Sequence, residues 1–460
     1  MNISPSIFKA YDIRGIYPKD FNEDNIDQII AAIYTFFTQK IDNSKQLKIV
    51  LSYDMRLSGE KLYTRAKKLL LEYGAYVIDA GMLSTPSFYF TVANYNYDCG
   101  IQITASHNPP EWNGLKFVIK GKNGIIKIGK STGMDEIAQM SQKKLQISPK
   151  YKGILEKKSQ ILEDEVDNAL KIFKNPQIKK FKIVADPANA MGATYIEALF
   201  KKVDANLIKM NFELDGSFPA HQPDPLNFDN LKDLQQKVLD EKADFGIAPD
   251  GDGDRLYFID EKGQVVPATL ITALIAKELL QEVPHALILF DIRYILGVKE
   301  IIKECGGRYE ITKVGHAFIT EALDKSGGIF AGESSGHFYY HATGNAESQV
   351  ATLIAVLKVL SKEKKPLSQV LKQLRRSYES GEYNFKVKNS NEILNFLKEK
   401  YKDGQLSELD GIAISYPTWR FSVRTSNTEP LLRLNLEAYE KEVMKNKLLE
   451  VKSEIEGKAN

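Results

Sequence analysis

Four short polar segments of the sequence carry side chains that could do chemistry. The first, TASHNP at residues 104–109, follows an apolar run and places Ser106 beside His107. A serine hydroxyl is a weak nucleophile unless a base, a metal or an electrophilic partner activates it. A serine just before a proline-containing turn is also a frequent helix N-cap. On its own, this segment supports either a nucleophile or a cap.

The second segment, DGDGDR at residues 250–255, alternates three aspartates with glycines. Asp250, Asp252 and Asp254 would repel one another where they converge unless a cation lies between them. All-oxygen ligands suit a hard ion, and Mg²⁺ above all where phosphate is near. An EF-hand is excluded because Arg255 occupies the position that needs glycine and because the flanks are predicted strands. A solvated turn, or an aspartyl-phosphate enzyme of the haloacid-dehalogenase type with Asp250 as nucleophile, are the alternatives.

The third and fourth segments are rich in donors and acceptors. GESSGH at 332–337 offers carboxylate and hydroxyl groups that suit the vicinal hydroxyls of a sugar, or it forms a plain turn. RTSNTEP at 424–430 sets a guanidinium beside hydroxyls and an amide, which suits a phosphate dianion, or it forms a capped hairpin. In open α/β sheets, ligands bind beyond the carboxyl ends of strands, where such residues count most.

Apolar, β-branched runs alternate with amphipathic runs along most of the chain. The apolar runs predict strands at 47–53, 75–80, 100–105, 181–187, 244–249, 256–260, 286–292 and 328–333. Helical spacing predicts helices at 59–73, 192–201, 230–239, 270–280 and 350–360. Such alternation is typical of parallel or mixed sheets that are covered by helices.

The strand and helix pattern predicts four domains. Three α/β blocks, 1–150, 151–255 and 256–370, contain the serine, aspartate and glutamate segments respectively. From about 371 to 460 the pattern changes to strands at 384–388, 411–417, 420–425 and 432–439 with helices at 391–402 and 440–455. We therefore expect three similar mixed α/β domains followed by a smaller α+β domain that carries the arginine segment.

Charge and composition exclude several classes of protein. Lysine and arginine total 62 against 60 acidic residues, with no long basic run, so nucleic acid is not an expected partner. The two cysteines, Cys99 and Cys305, are far apart and predict neither a disulfide framework nor a metal site. The apolar runs are too short to span a membrane and the N-terminus lacks the features of a signal peptide, so we expect a cytoplasmic protein.

Seven segments together closely resemble the α-D-phosphohexomutase superfamily, and within it the bacterial phosphomannomutase/phosphoglucomutase group. They extend from near the first residue to near the last: FKAYDIRG (8–15), TASHNP, NGLKF (113–117), DGDGDR, TKVGHAFI (312–319), GESSGH and RTSNTEP. The resemblance implies four domains around a cleft, the last acting as a phosphate-binding lid. It also implies an isomerase that interconverts hexose 1-phosphate and hexose 6-phosphate through a hexose 1,6-bisphosphate.

The resemblance assigns roles to the reacting groups. It implies that Ser106 is phosphorylated in the active enzyme and that an oxygen of this phosphoserine binds Mg²⁺ together with the three aspartates. Oxygens of the transferred phosphoryl group would be stabilised by Arg14 and Arg255. Proton transfer would fall to one of Lys116, His337 and His107, and the sequence does not decide among them.

The resemblance also implies which residues bind the substrate. Those for the sugar are Tyr11, Arg293, His316, Glu333 and Ser335, although Arg293 stands where the family more often has lysine. Those for the distal phosphate are Arg424, Ser426, Asn427, Thr428 and Arg433. Glucose and mannose differ only at C2, and hydrogen bonds of Glu333 and Ser335 with O3 and O4 would discriminate little between them. Mannose and glucose substrates are therefore both expected.

The expected partners are sugar phosphates, with Mg²⁺ as cofactor, glucose 1,6-bisphosphate as activator and a monomer or weak homodimer as the oligomeric state. Phosphoglucosamine is a less favoured substrate, because phosphoglucosamine mutases more often carry SASHNP and a different sugar segment. An alternative is a sugar-phosphate-binding protein without catalytic activity, which would need only the arginine segment at 424–430 and the three aspartates.

Overall fold

The computed structural model describes residues 3–42, 44–425 and 431–459. Its contacts divide the chain into two compact units. The first contains Met1–Val266 and Ser335–Ser368, and the second contains Pro267–Ser334 and Gln369–Asn460. No helix in the described ranges is long and apolar enough to cross a membrane.

The first α/β segment is built on a seven-stranded mixed sheet in the order β1-β5-β4-β2-β3-β7, with β6 paired to β5. Alternate residues of the central strand, β2, face opposite cores: Ile49 and Leu51 pack in one hydrophobic cluster, and Val50 packs in the other. This explains its continuously apolar sequence. The elements are β1 (Ile13–Ile16), α1 (Glu23–Lys40), β2 (Lys48–Tyr53), α2 (Gly59–Glu72), β3 (Tyr76–Met82), α3 (Thr85–Asn94), β4 (Cys99–Ile103), β5 (Trp112–Lys120), β6 (Ile125–Lys127), α4 (Met134–Ser141) and β7 (Ile154–Lys157).

The second α/β segment carries a five-stranded sheet in the order β12-β11-β10-β8-β9. Its elements are α5 (Ile161–Ile172), β8 (Phe181–Ala185), α6 (Gly192–Lys202), β9 (Ala205–Lys209), α7 (Lys232–Asp240), β10 (Phe245–Pro249), β11 (Leu256–Asp260) and β12 (Val265–Val266). The boundary predicted after residue 255 cuts this sheet, since β11 pairs antiparallel with β10 and β12 pairs with β11. The sheet therefore extends to Val266.

The third α/β segment begins in the second unit with α8 (Ala268–Glu282), β13 (Leu287–Asp291), α9 (Leu296–Glu304), β14 (Arg308–Thr312), α10 (His316–Ser326) and β15 (Phe330–Gly332). Strand β13 pairs parallel with both β14 and β15. The chain then contributes β16 (Phe338–Tyr340), β17 (Ala346–Glu347) and α11 (Gln349–Glu363) to the first unit, where α11 packs against α5 and α6. Helix α12 (Leu367–Leu374) follows.

The C-terminal segment is α+β, as predicted. An antiparallel sheet in the order β18-β22-β21-β20-β19 packs against two helices through a core that includes Phe421, Leu434, Leu397 and Val451. Its elements are β18 (Tyr378–Lys386), α13 (Ser390–Lys400), β19 (Gln405–Ser407), β20 (Ile412–Ser415), β21 (Trp419–Thr425), β22 (Leu431–Ala438) and α14 (Lys441–Ala459).

Every strand and helix predicted from the sequence is present, and the ends are shifted by a few residues. The largest shift is in β18, which begins at Tyr378 and not at 384. Helix α3 was not predicted, because most of its residues are buried and it lacks the amphipathic spacing that marks a surface helix. Its N-terminus nevertheless reaches the site described next.

Candidate active site

Ser106 lies just beyond the end of β4 in a strained loop. Its φ is +53°, in the left-handed region that a serine rarely adopts. The side chain of Thr104 stabilises this turn, since its Oγ1 accepts a hydrogen bond of 2.9 Å from the Ser106 amide. The Ser106 Oγ donates to Oδ2 of Asp250 at 3.2 Å. The two segments that the sequence marked first are therefore in direct contact.

Two glycines allow the aspartate loop to approach the serine loop. A Cβ on Gly251 would lie 2.3 Å from the carbonyl oxygen of Ser106, which is closer than any side chain permits. Gly253 has a φ of +79°, which favours glycine for a different reason. The glycines between the aspartates are therefore needed for the backbone conformation of the loop and for its close approach to the serine loop.

The aspartate trio fits a divalent cation. Asp250, Asp252 and Asp254 are buried, and each offers a carboxylate oxygen within 4.8 Å of the others. The Oδ1 atom of Asp252 is buried and has no hydrogen-bond partner among the described residues. An unpartnered, buried anionic oxygen is costly, and a cation would satisfy it. An all-oxygen set of ligands suits a hard ion such as Mg²⁺.

Lys116, on β5, neutralises part of this charge. Its Nζ donates to Oδ2 of Asp252 and to Oδ2 of Asp254, both at 2.6 Å. Although burial opposes the charge, the two aspartates raise the pKa of Lys116 well above its usual range. This contact holds Lys116 against two of the three aspartates, and its role as a general base stays a prediction. Both carboxylates turn their Oδ2 atoms toward Lys116, which leaves Oδ1 of Asp252 without a hydrogen-bond partner among the described residues.

The aspartates differ in their electrostatic surroundings. Burial raises the pKa of Asp250 well above its usual range, and the neighbouring Asp254 and Asp252 add to the rise. Burial also acts on Asp254, but Lys116 and His337 outweigh it and hold the pKa of Asp254 well below its usual range. Without a cation, ionisation thus costs more at Asp250 than at Asp254.

Three further predicted residues surround Ser106. Nδ1 of His107 lies 3.3 Å from the Ser106 Oγ. Arg14 donates to the side-chain oxygen of Asn108 and, at 3.3 Å, to the carbonyl oxygen of Ala105. The Nε and NH1 atoms of Arg255 are buried without a hydrogen-bond partner in the described parts of the chain, and NH1 lies 3.6 Å from an Asp224 carboxylate oxygen. Donors are thus available for phosphoryl oxygens.

His337 joins the same cluster. Its Nε2 lies 3.2 Å from Oδ1 of Asp254, and its Nδ1 lies 3.0 Å from the hydroxyl of Ser335. The ring of Tyr339 stacks on the imidazole. Lys127, which is ion-paired with buried Glu347, lies over the Tyr339 ring. The imidazole is therefore held from two sides.

Two residues that the sequence did not suggest fix this site. Buried Arg56 donates to the carbonyl oxygens of Ser106 at 2.8 Å and Asn108 at 2.6 Å, so it clamps the serine loop. Thr85, the first residue of α3, donates from its Oγ1 to Oδ2 of Asp252 at 2.6 Å. Each follows an apolar strand, which is the one signal that could have identified them.

In the second unit, the predicted sugar-binding residues Arg293 and Glu333 form a separate cluster next to His316. Arg293 is buried and donates to both carboxylate oxygens of Asp291, at 2.9 and 3.0 Å. Its NH2 lies 3.5 Å from Oε1 of Glu333. Oε1 of Glu333 also accepts from the Gly315 amide at 3.1 Å, just before His316 begins α10. Asp291 was not predicted, yet it organises this cluster.

The arginine segment is only partly described. Arg424, on β21, and Arg433, on β22, both form ion pairs with Glu382. The predicted phosphate ligands Ser426, Asn427 and Thr428 lie outside the described residues. Tyr11 is half-buried in the bend before β1. Among the described residues, the serine, aspartate and histidine side chains thus cluster in the first unit, and Arg293 with Glu333 and Arg424 with Arg433 are paired in the second.

Three α/β segments, a C-terminal α+β segment and a serine facing three aspartates define a class of enzymes that move a phosphoryl group on a substrate. Family profiles for phosphoglucomutase/phosphomannomutase α/β/α domains I, II and III match residues 5–146, 164–263 and 269–378, and the profile for the C-terminal domain matches 362–452. The chain belongs to this phosphoglucomutase/phosphomannomutase family, within the α-D-phosphohexomutase superfamily.

Individual relatives agree with this. A phosphomannomutase of Methanocaldococcus jannaschii is 39% identical over 456 residues, which cover 98% of this chain and 97% of the relative. One of Vibrio cholerae is 34% identical over 452 residues, 96% of each chain. A crystal structure of a family protein from Burkholderia thailandensis superposes with a TM-score of 0.87 at 28% identity, over 100% of this chain and 99% of that one. The protein is an isomerase of the phosphohexomutase type.

Proposed function

We propose that this protein interconverts mannose 1-phosphate and mannose 6-phosphate, and the corresponding glucose phosphates, through a phosphorylated Ser106. The observation that carries the proposal is the contact between the Ser106 Oγ and the buried aspartate trio. A serine in a strained turn at a strand end, beside a cation site and spare guanidinium donors, suits phosphoryl transfer. The 39% identical relative, a phosphomannomutase, favours mannose as one substrate.

The reaction transfers the phosphoryl group twice. In the first step, the free hydroxyl oxygen of the hexose monophosphate forms a bond to the phosphorus on Ser106, and the bond from phosphorus to Ser106 Oγ breaks. The product is a hexose 1,6-bisphosphate. In the second step, Ser106 Oγ attacks the other phosphoryl group, and the isomeric monophosphate is released. Phosphorus and charge balance, and no net phosphoryl group is consumed. Glucose 1,6-bisphosphate would restore any enzyme that loses its phosphoryl group.

Asp250, Asp252 and Asp254, with a phosphoserine oxygen, would hold Mg²⁺. When bound, the ion neutralises negative charge on the transferring phosphoryl group. Arg14 and Arg255 orient its remaining oxygens, since both guanidinium groups lie by the serine loop. Lys116 keeps two of the carboxylates in place and adds positive charge.

Protons move at two positions. Nδ1 of His107, 3.3 Å from Oγ, would give a proton to Oγ as its bond to phosphorus breaks in the first step, and would take it back when Oγ attacks in the second step. We assign the proton of the sugar hydroxyl to His337, which would take it in the first step and return it to the departing sugar oxygen in the second. His337 is oriented by Asp254 and Ser335.

The second unit would bind the rest of the substrate. Glu333 would accept hydrogen bonds from the sugar hydroxyls O3 and O4, and Arg293 and His316 would complete its part of the sugar site; Ser335, the other predicted ligand of these hydroxyls, belongs to the first unit. Arg424, Arg433 and the segment 426–428 hold the phosphate that does not react. Because O3 and O4 are the same in mannose and glucose, this pattern predicts activity on both.

Substitution of the nucleophile tests the proposal. Ser106→Ala should lower kcat by about a thousandfold or more, because it removes the group that accepts the phosphoryl. Binding of mannose 1-phosphate, measured by calorimetry, should remain. Wild-type protein labelled with the bisphosphate should carry acid-stable phosphate on Ser106. A hydroxylamine-labile phosphate on Asp250, or unchanged turnover in the variant, would refute the phosphoserine mechanism.

A further inference from the structure

Glu382 separates two arginines that would otherwise repel each other. The register of β21 and β22 places Arg424 directly opposite Arg433, and like charges at such positions are destabilising. Glu382 lies on β18, on the other side of β22. Its Oε2 lies 3.1 Å from NH2 of Arg424, and its Oε1 lies 3.2 Å from NH1 of Arg433. One carboxylate thus bridges both guanidinium groups.

Glu382 supplies one negative charge, which does not balance the two positive charges of Arg424 and Arg433. The Arg424 side chain is only 7% exposed, and its Nε is buried without a hydrogen-bond partner in the described ranges. Burial lowers the pKa of Arg424, and the nearby charge of Arg293 lowers it further. Within the described residues, a buried guanidinium nitrogen without a partner and two arginines that share one carboxylate indicate that the arginines are arranged for an anion with more charge and more oxygens than a carboxylate.

Glu382 is also placed to move. It is 26% exposed, whereas Arg424 is buried beneath it. The backbone of Glu382 is paired with Asn435 in the ladder of β18 with β22, so only its side chain would have to move. Its carboxylate can therefore turn into solvent while the arginines stay in place.

We propose that Glu382 is a positioning and specificity residue that occupies the arginine cradle in place of phosphate and is displaced when the non-reacting phosphate of the substrate binds. This inference rests on the proposed function. By keeping both guanidinium groups oriented, Glu382 lowers the cost of forming the site. By competing for them, it weakens the hold on phosphate, so that the bisphosphate can leave the cradle and return in its other orientation. A dianion displaces it more readily than a monoanion.

Glu382→Gln tests the competition. The full-length variant should bind inorganic phosphate about tenfold more tightly than wild type by calorimetry, because a neutral amide no longer competes for the guanidinium groups. With mannose 1-phosphate, KM and kcat should both fall, since the tighter hold slows exchange of the bisphosphate. Glu382→Asp keeps the charge and should bind phosphate within threefold of wild type.

A matched control is Glu399→Gln, which removes the same charge from an exposed position of α13, where Glu399 pairs with Lys402. It should change none of these values. Weaker phosphate binding by Glu382→Gln would show that Glu382 is only a scaffold, and equal tightening by Glu382→Asp would show that charge is not the cause. Either result overturns the inference. Phosphate titration needs no turnover, so it still reports if Ser106→Ala refutes the phosphoserine mechanism.

Discussion

Hydrogen bonds to one oxygen of Asp252 leave its other oxygen available to bind a cation. Its Oδ2 accepts from Thr85 and Lys116, whereas its buried Oδ1 has no partner within the described residues. The Thr85 amide also donates to the Asp252 carbonyl oxygen at 2.8 Å. Hydrogen bonds to metal ligands fix their orientation. Thr85 therefore helps to orient the Asp252 carboxylate so that Oδ1 is the oxygen available to a cation.

Thr85→Val removes only the hydroxyl, at nearly constant volume. We expect Mg²⁺ affinity to fall about 10- to 100-fold, which is the usual effect of losing such a support. Calorimetric titration of the full-length protein with Mg²⁺ measures this without turnover. Thr85→Ser, which keeps the donor, should stay near wild type.

Thr91→Val provides the control for Thr85. Thr91 is buried in the same helix, and its hydroxyl donates to the Ser87 carbonyl oxygen at 2.7 Å. Its substitution should leave Mg²⁺ binding unchanged. Equal losses in the two valine variants would mean that α3 had simply been disturbed, and the assignment of Thr85 would then fail.

At the scale of elements, the site depends on the meeting of two loops, one after β4 and one between β10 and β11. Gly251 is the closest approach, since a Cβ there would meet the Ser106 carbonyl oxygen at 2.3 Å and the Pro223 side chain at 3.2 Å. Neither neighbour can move freely, because Arg56 holds that carbonyl and the Pro223 carbonyl accepts from the Gly251 amide.

Gly251→Ala should therefore separate the serine from the aspartates. We expect kcat to fall about 100-fold or more, since displacements near 1 Å at a reacting group have effects of that size. The unfolding free energy should fall by about 1–3 kcal/mol from overpacking. Kinetics and urea unfolding measure the two effects.

Gly457→Ala is the matched change. Gly457 lies in α14, and nothing lies within 4 Å of a Cβ built there. Its replacement should leave turnover unaltered and slightly favour the helix. Full activity in Gly251→Ala would contradict the close contact between the loops.

At the scale of the whole molecule, the sequence predicted the segments whose chemistry is local. Ser106 and the three aspartates could be found because their residue types cluster at strand ends. Arg56, Asp291 and Glu382 could not, since each is a common residue whose role arises from contacts with distant parts of the chain. The boundary predicted after residue 255 falls between β10 and β11 for the same reason: the pairing of these two strands is set by hydrogen bonds and not by composition.

The pH dependence of stability is also a property of the folded whole. Glu165 is 2% exposed on α5, and its Oε2 accepts from the Ser87 hydroxyl at 2.6 Å. Burial raises its pKa to about 7, with the Ser87 hydrogen bond opposing the rise. In the unfolded chain this carboxyl titrates near its ordinary value of 4.5. Between these values the native state binds more protons, so the unfolding free energy falls as pH rises.

Glu165→Gln stays neutral at every pH and can still accept from Ser87. Relative to wild type, its unfolding free energy should rise between pH 4.5 and 7 by up to about 3 kcal/mol and then level off. Urea unfolding at pH 5, 6, 7 and 8 measures the difference. Glu163→Gln, on an exposed position of the same helix, should run parallel to wild type. If Glu165→Gln also ran parallel, the buried carboxyl would not titrate in this range, and the raised pKa would be refuted.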